Sequence, residues 1–224
     1  MGYYINLKKI TLNHFKKNLK SADLIPSWMI LKQDIDKNLD IIKSYNVKNL
    51  NDLLTRLKNK DKIEDFFKQT GLSKNYLAVL KRVVKGYRQK PNRIKDFPNI
   101  SKKVVEKLEK LKLQNTLKLY DEIRTSEKRE NLSQKTGINR KDILKLAKLT
   151  DLSRIRWVNH TFAFMLLDSG FDTVQKVANA EPKKMYEKIK FINQEKNFYK
   201  HNIGVRDMKR CIDSAKELEF EVEY

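Results

Sequence analysis

The sequence predicts an all-α fold made of a tandem array of similar helical repeats, with short strands at the two ends of the chain. Stretches 62–84 and 128–148 repeat one another 66 positions apart, so that Gly71 aligns with Gly137. A unit that recurs at a fixed offset indicates one structural element that has been duplicated. Apolar residues also recur at helical spacing along most of the chain. Both glycines are expected to adopt positive φ between two helices.

Candidate N-caps mark the starts of the helices. Ser73 and Asn139 each follow a Thr-Gly-apolar triplet and precede a helical pattern. Their side chains can accept a hydrogen bond from a backbone N–H that has no partner inside the helix. Ser101 and Thr161 occupy comparable positions before two later helices, so we expect four capped starts.

Prolines and alternating patterns define the remaining elements. Segment 86–98, with its two prolines, is the clearest linker. Pro182 opens another helix, because proline loses nothing at the first helical position. Apolar and polar residues alternate over 3–7 and 218–224, which predicts a short strand at each end.

These signals divide the chain into five segments. They are an N-terminal segment with a helix at 1–25, a degenerate first repeat at 26–90, a second repeat at 91–150, a third repeat at 151–218, and an acidic tail at 219–224.

Two longer stretches, 97–119 and 157–177, share one plan. Each has a short apolar turn, a helix, a second turn and a Thr-apolar start to the next helix. The plan resembles the helix-hairpin-helix motif, which implies that backbone amides at a helix start bind a DNA phosphate. The usual Gly-apolar-Gly turn is absent from 98–101 and 157–160, although asparagine tolerates positive φ better than most residues. The hairpins are therefore either phosphate-binding or purely structural.

A more specific resemblance covers 132–177 and extends over most of 26–218. The residues that carry it are Thr136, Gly137, Ile138, Ile143, Leu144, Asp151, Leu152, Arg154, Ile155, Leu166, Leu167, Gly170, Phe171, Thr173 and Val174. With these residues the run resembles the bacterial family called domain of unknown function 4332, which is built of tandem helix-hairpin-helix units. The resemblance implies such repeats and suggests DNA binding, but it supplies no established activity. This chain departs from the family at 157–159, where the family carries a glycine-bearing turn.

The formal net charge of +21 favours a polyanionic partner. The excess is spread along the chain and is rich in lysine, so a solvated surface without a ligand is the alternative interpretation. We expect non-catalytic, largely sequence-independent binding through the hairpin turns, with DNA as the favoured partner and RNA as the alternative. The residues expected to contact nucleic acid are Asn99, Ser101, Lys102, Lys103, Asn139, Arg140, Lys141, Arg154, Arg156, Asn159, His160 and Thr161.

Several of these residues allow two interpretations. Arg154 and Arg156 flank a hairpin and could grip phosphates, or Arg154 could pair with Asp151 to fix a helix junction. Trp157 could stack on a base or fill a gap between repeats.

Two pairs of basic residues, at 102–103 and 140–141, lie in the first turn after a cap. Cations there oppose the helix dipole, which hints at an anionic ligand. Solvent and carboxylates could compensate them instead.

Other function classes find little support. Cys211 is the only cysteine, which excludes an internal disulfide, and its apolar neighbours indicate a buried, inert thiol. His14, His160 and His201 show no metal-ligand spacing, and no phosphate-cradling loop or nucleophile elbow occurs. We expect no catalysis, cofactor or metal.

The alternative function is a protein-interaction scaffold without direct nucleic-acid contact, because stacked helical repeats make extended surfaces for protein partners. No apolar run reaches the roughly 18 residues of a membrane span, and the N-terminus lacks the apolar stretch of a signal peptide. The expected location is the cytoplasm, without a membrane partner.

Overall fold

A computed structural model describes residues 2–200 and 202–224, and its regular elements are all helical. The all-α prediction is confirmed for these residues, and His201 lies outside them. Short 3-10 helices span Pro26–Lys32 and Ile94–Asp96. The α-helices are α1 Leu12–Ser21, α2 Ile35–Ser44, α3 Leu50–Arg56, α4 Lys60–Thr70, α5 Lys74–Lys85, α6 Lys102–Lys110, α7 Thr116–Ile123, α8 Ser126–Thr136, α9 Arg140–Leu152, α10 His160–Asp168, α11 Val174–Ala178, α12 Pro182–Lys196 and α13 Val205–Ala215.

The chain forms two compact units, each with its own apolar core. The smaller unit comprises residues 6–88 and contains α1–α5, and the larger unit comprises 2–5 with 89–224 and contains α6–α13. The smaller unit buries Phe15, Leu39, Leu53, Phe66, Leu77 and Leu80. The larger unit buries Tyr120, Ile143, Leu146, Met165, Val177, Met208 and Ile212.

The two ends of the chain do not form the expected strands. Tyr3 is buried, and its ring meets Tyr120 edge-on at 5.7 Å between centroids. Near the other end, Glu223 N–H donates to Arg124 O at 2.8 Å. The prediction of terminal strands is wrong, because the alternating side chains pack against helices rather than beside a neighbouring strand.

The duplicated Thr-Gly triplets have the same local structure in both copies. Gly71 ends α4 with φ 71° and Gly137 ends α8 with φ 61°, as the sequence predicts. The hydroxyls of Thr70 and Thr136 each donate to the carbonyl four residues earlier, at 2.6 Å in both copies. The same hydroxyls accept from the amide two residues later, at 3.3 and 3.2 Å. We call these two connections, 70–73 and 136–139, the Thr-Gly turns.

The predicted N-caps are confirmed at three of four positions. Ser73, Ser101 and Asn139 each accept from the amide three residues later. The prediction of Thr161 as a cap is wrong: Asn159 caps α10, with its Oδ1 accepting from Phe162 N–H at 2.9 Å. Thr161 therefore lies inside the first turn of that helix.

Among the described residues, positive φ is confined to three recurring positions. It occurs at the N-cap of α2 and three residues before α6 and α10, then two residues after each of those helices, and just after α4, α8 and α12. The residues are Asp34, Asn99 and Trp157, then Asn46, Lys112 and Gly170, then Gly71, Gly137 and Asn197.

Candidate nucleic-acid interface

The two predicted hairpin turns lie next to one another in the larger unit. We extend the turns predicted at 98–101 and 157–160 by one residue each, to 97–101 and 157–161, so that they include Phe97 before α6 and the first two residues of α10. The Phe97 and His160 rings meet edge-on, with centroids 6.5 Å apart. Turns that are far apart in sequence are therefore brought to one place on the fold.

Two amide side chains hold the second hairpin turn in place. Gln89 Nε2 donates to Val158 O at 3.2 Å, and Gln89 Oε1 accepts from Trp157 N–H at 3.1 Å. Asn92 is buried and donates through Nδ2 to both Ser153 Oγ at 2.9 Å and Val158 O at 3.3 Å. Sequence reasoning missed both amides, since nothing in their local pattern marks their role.

Lys145 brings a cation from the middle of α9 to the first hairpin turn. Its Nζ donates to Asn99 O at 3.1 Å and lies 5.4 Å from the Phe164 ring centroid. Asn99 has φ 57°, which agrees with the expectation that asparagine replaces a turn glycine here. Lys145 is absent from the predicted site, although its position four residues after Lys141 puts both on one helix face.

The start of α6 carries two cations that have no ion-pair partner among the described residues. Lys102 and Lys103 are exposed and directly follow the Ser101 cap. The first amides of a helix lack partners inside it, and the helix dipole is positive at this end. Exposed amides and two lysines together make a place that attracts an anion.

The start of α9, by contrast, has internal partners for much of its polar surface. Arg140 Nη2 lies 2.6 Å from Glu130 Oε1. Asn139 Nδ2 donates to Asp142 Oδ2 at 2.7 Å, and that carboxylate compensates the helix dipole. The smaller unit contains the same charge pair one repeat earlier, Lys74 with Glu64 at 2.6 Å. The cation at this position is therefore a structural feature of both Thr-Gly turns.

The predicted residues at 139–141 directly follow Ile138 in the second Thr-Gly turn, whose position relative to α6 is fixed by Lys107. Lys107 Nζ donates to Gly137 O at 2.8 Å, which puts the second Thr-Gly turn beside the C-terminal half of α6. Lys107 is six residues from the Ser101 cap, or about 9 Å along a helix. Lys141 is exposed, and contact of Asn139, Arg140 and Lys141 with nucleic acid stays a prediction.

Arg154 is buried, and the prediction that it contacts phosphate is wrong. Its Nη1 lies 2.7 Å from Asp151 Oδ1, which confirms the alternative interpretation of the sequence. Nε donates to Tyr3 O at 3.2 Å and Nη2 to Glu219 O at 3.0 Å. The guanidinium also lies 4.9 Å from the Tyr120 ring centroid. These interactions join both ends of the chain to the core of the larger unit.

The Asp151 carboxylate completes this buried network. Its Oδ2 accepts from Val174 N–H at 3.1 Å and from the Tyr224 hydroxyl at 3.0 Å. The tyrosine residue is 52% exposed, but desolvation of its hydroxyl, together with the negative charge of Asp151, raises the pKa of Tyr224 above its ordinary value. The tyrosine therefore remains a neutral donor.

Arg156 is likewise held by neighbours rather than free for phosphate. Its Nη2 lies 3.1 Å from Glu217 Oε2, and its Nε donates to Ser214 Oγ at 3.3 Å. The guanidinium lies 4.8 Å from the Trp157 ring centroid. Arg156 thus links α13 to the indole, and its contact with phosphate stays a prediction.

Trp157 is exposed, so the interpretation that it fills a gap between repeats is wrong. It is 54% exposed and has φ 67°. Asn159 caps the following helix, and His160 and Thr161 are the first two residues of α10, both half-buried. The second hairpin turn therefore presents an aromatic ring where the first presents lysines.

Other features bear on the remaining function classes. Cys211 is buried, and burial raises the pKa of its thiol to about 12, so the thiol is protonated at neutral pH. No group of three or more metal-binding side chains is found among the described residues. Within the part of the chain that the structure describes, no helix has the length and apolar character needed to cross a membrane.

Comparison with models of protein families gives a match. The family model described as Domain of unknown function (DUF4332) matches residues 98–218, a range that includes the second hairpin turn and nearly all of the first. No curated protein and no solved structure matches the chain.

Proposed function

Because the chain belongs to the DUF4332 family, whose description assigns no activity, we propose a function from the geometry of the two hairpin turns. The protein binds nucleic acid through these turns without catalysing a reaction and without reading its sequence. DNA is the favoured partner and RNA the alternative. The cytoplasm remains the proposed location.

One observation carries this proposal: the two hairpin turns meet, and the lysines at the start of α6 lack internal partners among the described residues. Phe97 contacts His160 across the turns, and Lys145 reaches the first of them. Lys102 and Lys103 add two exposed cations beside free helix amides. A phosphate placed there would gain the hydrogen bonds and the charge that the protein leaves unmet.

The recurring turns support a helix-hairpin-helix-like interpretation. We interpret the three sets of positive-φ positions as three copies of one four-helix unit, the first of them degenerate. The first copy differs at its hairpin, because Asp34 caps α2 without a side-chain hydrogen bond and Asp36 lies in the first turn of that helix. An acidic residue there disfavours phosphate, so binding is assigned to the second and third copies.

Contacts to phosphates position a protein on nucleic acid but carry no sequence information. The proposed site therefore predicts similar affinity for DNAs of unrelated sequence. It also predicts strong salt dependence, because each neutralised phosphate releases counterions.

Titration of DNA at several salt concentrations tests this function. Changing Lys102, Lys103 and Lys145 together to glutamine should weaken binding and make the salt slope shallower, by up to about 0.9 for each duplex phosphate that the variant no longer neutralises. The control variant changes Lys135, Lys183 and Lys216 to glutamine. These lysines are exposed, and the control lowers net charge equally.

If the control weakens binding as much as the hairpin variant, the attraction is diffuse and the proposed site is wrong. If neither DNA nor RNA binds at about 100 mM salt, the protein-interaction scaffold becomes the better account.

A further inference from the structure

We infer that the second hairpin turn is a stacking platform for an unpaired base, so that the nucleic acid recognised is single-stranded. This inference rests on the proposed function and specifies its substrate class. It depends on Trp157, its support by Arg156, and the cations around the neighbouring turn.

The conformation of Trp157 is unusual for a bulky residue. A non-glycine side chain rarely adopts positive φ, and φ 67° at tryptophan is an outlier. Gln89 holds this conformation by bonding the amide of Trp157 and the carbonyl of Val158. The fold thus maintains a strained backbone whose effect is to project an indole that is 54% exposed. Strain of this kind points to a functional site.

The indole is supported on one side. The Arg156 guanidinium lies 4.8 Å from the ring centroid and is itself held by Glu217 at 3.1 Å and by Ser214 at 3.3 Å. The exposed surface of the ring therefore lies away from the guanidinium. A fixed ring loses little freedom when a base stacks on it, and such stacking tolerates any base.

The cations of the first hairpin turn suit the phosphates on either side of a stacked base. Lys145 touches that turn at Asn99 O, and Lys102 and Lys103 follow it. Phe97 and His160 connect it to the turn that contains Trp157. A positively charged groove combined with an exposed aromatic ring is the usual arrangement for binding single strands.

The same indole disfavours a duplex. A glycine-bearing turn lets the DNA backbone come close to the turn amides, whereas a large side chain at this position keeps it away. The bases of a duplex are stacked on each other and cannot stack on a protein ring without being unpaired. The exposed tryptophan therefore favours a strand whose bases are already free.

Equilibrium binding of an oligo(dT) of about 16 nucleotides, compared with a duplex of the same length, tests the inference. Wild type should prefer the single strand. Trp157→Gly removes the ring while keeping a residue suited to positive φ. It should lose about 5- to 150-fold in affinity for oligo(dT), with duplex affinity unchanged or increased.

Phe191→Ala is the matched control, because Phe191 is an exposed aromatic residue of the same unit, at 59%. It should leave both affinities unchanged. A second readout uses fluorescence. The chain has two tryptophans, so Trp28→Phe leaves Trp157 as the single reporter. Its emission should be quenched when oligo(dT) binds.

The outcomes separate this inference from the function on which it rests. If duplex binds as well as oligo(dT), or if Trp157→Gly binds oligo(dT) like wild type, the stacking platform is wrong. The proposed function still stands in that case if the Lys102, Lys103 and Lys145 variant loses binding. If oligo(dT), duplex and oligo(U) all fail to bind, the stacking platform and the proposed function are both overturned.

Discussion

The Thr-Gly turns and the hairpin turns share a backbone arrangement, but they differ in whether the cation at the start of the following helix has a carboxylate partner. In both kinds of turn, a residue with positive φ precedes a helix that is capped by a serine or asparagine side chain. At the Thr-Gly turns the first helical residue is a cation paired with a glutamate ten residues earlier, as in Lys74–Glu64 and Arg140–Glu130. At the first hairpin turn, Lys102 has no such partner among the described residues.

This difference distinguishes cations that stabilise the fold from cations that are available to a ligand. A cation at a helix start opposes the helix dipole and invites a functional interpretation. The duplicated ion pair shows that such a cation can belong to the fold itself. An internal partner, rather than charge alone, distinguishes the two kinds of turn, and substitutions at each kind can test that distinction.

The largest expected effect concerns Arg154, which the sequence places near a hairpin and the structure places in the core. Arg154→Met leaves the buried Asp151 carboxylate without its cationic partner, and breaking a buried pair in this way costs roughly 3–5 kcal/mol. Urea unfolding should show a loss of stability of that size. A loss below about 1 kcal/mol would mean that Arg154 does not tie the chain ends to the core.

Substitutions at the positive-φ positions should differ between the two kinds of turn. Gly71→Val and Gly137→Val should each lower the free energy of unfolding by roughly 1–3 kcal/mol. The reason is backbone strain, since a Cβ at Gly71 would meet nothing within 4 Å and one at Gly137 only Lys107 Nζ at 3.4 Å. Unchanged thermal midpoints in both variants would contradict this account.

Trp157→Gly is the matched change at a hairpin turn. Relief of strain is offset by removal of the cation–π interaction with Arg156 and by the freedom that glycine adds to the unfolded chain, so stability should change by less than about 1 kcal/mol. Thermal unfolding beside the two valine variants makes the comparison. A large loss for Trp157→Gly would assign the indole a structural role instead.

The smallest effect concerns the exposed charges. A double-mutant cycle on Arg140→Gln and Glu130→Gln should give a coupling of roughly 0.2–1 kcal/mol, because the Arg140 side chain is 78% exposed. Lys102→Gln should leave stability unchanged or raise it by a few tenths of a kcal/mol, since it removes a cation that opposes the dipole of α6. If Lys102→Gln lowered the free energy of unfolding as much as Arg140→Gln does, the two kinds of turn would not differ in the way described.

The sequence predicts what depends on neighbouring residues. The Thr-Gly turns and most caps are correct because each depends on residues within a few positions of one another. The predicted cap at Thr161 lies two positions after the observed one, because Asn159 is an equally good cap and comes earlier in the chain. The terminal strands fail because alternation reports two faces of a chain, and helices as well as strands can cover one of them.

The sequence does not predict interactions between distant segments. Arg154 bonds Tyr3, 151 positions away, and Glu219, 65 positions away. Nothing near Arg154 marks those two partners, although the sequence offers its pair with Asp151, three residues away, as one of two interpretations. Lys145 and Trp157 depend in the same way on where α9 and the two hairpin turns meet.

The most direct test of the central claim compares the two kinds of turn by their binding of single-stranded DNA at several salt concentrations. One variant changes Lys102, Lys103 and Lys145 to glutamine, and the other changes Lys74, Arg140 and Lys141 to glutamine, so that both lose three positive charges. The hairpin variant should lose affinity strongly, with a salt slope shallower by up to about 2, while the Thr-Gly variant should stay close to wild type. Equal losses in affinity and slope would contradict the claim that the hairpin turns are the binding site.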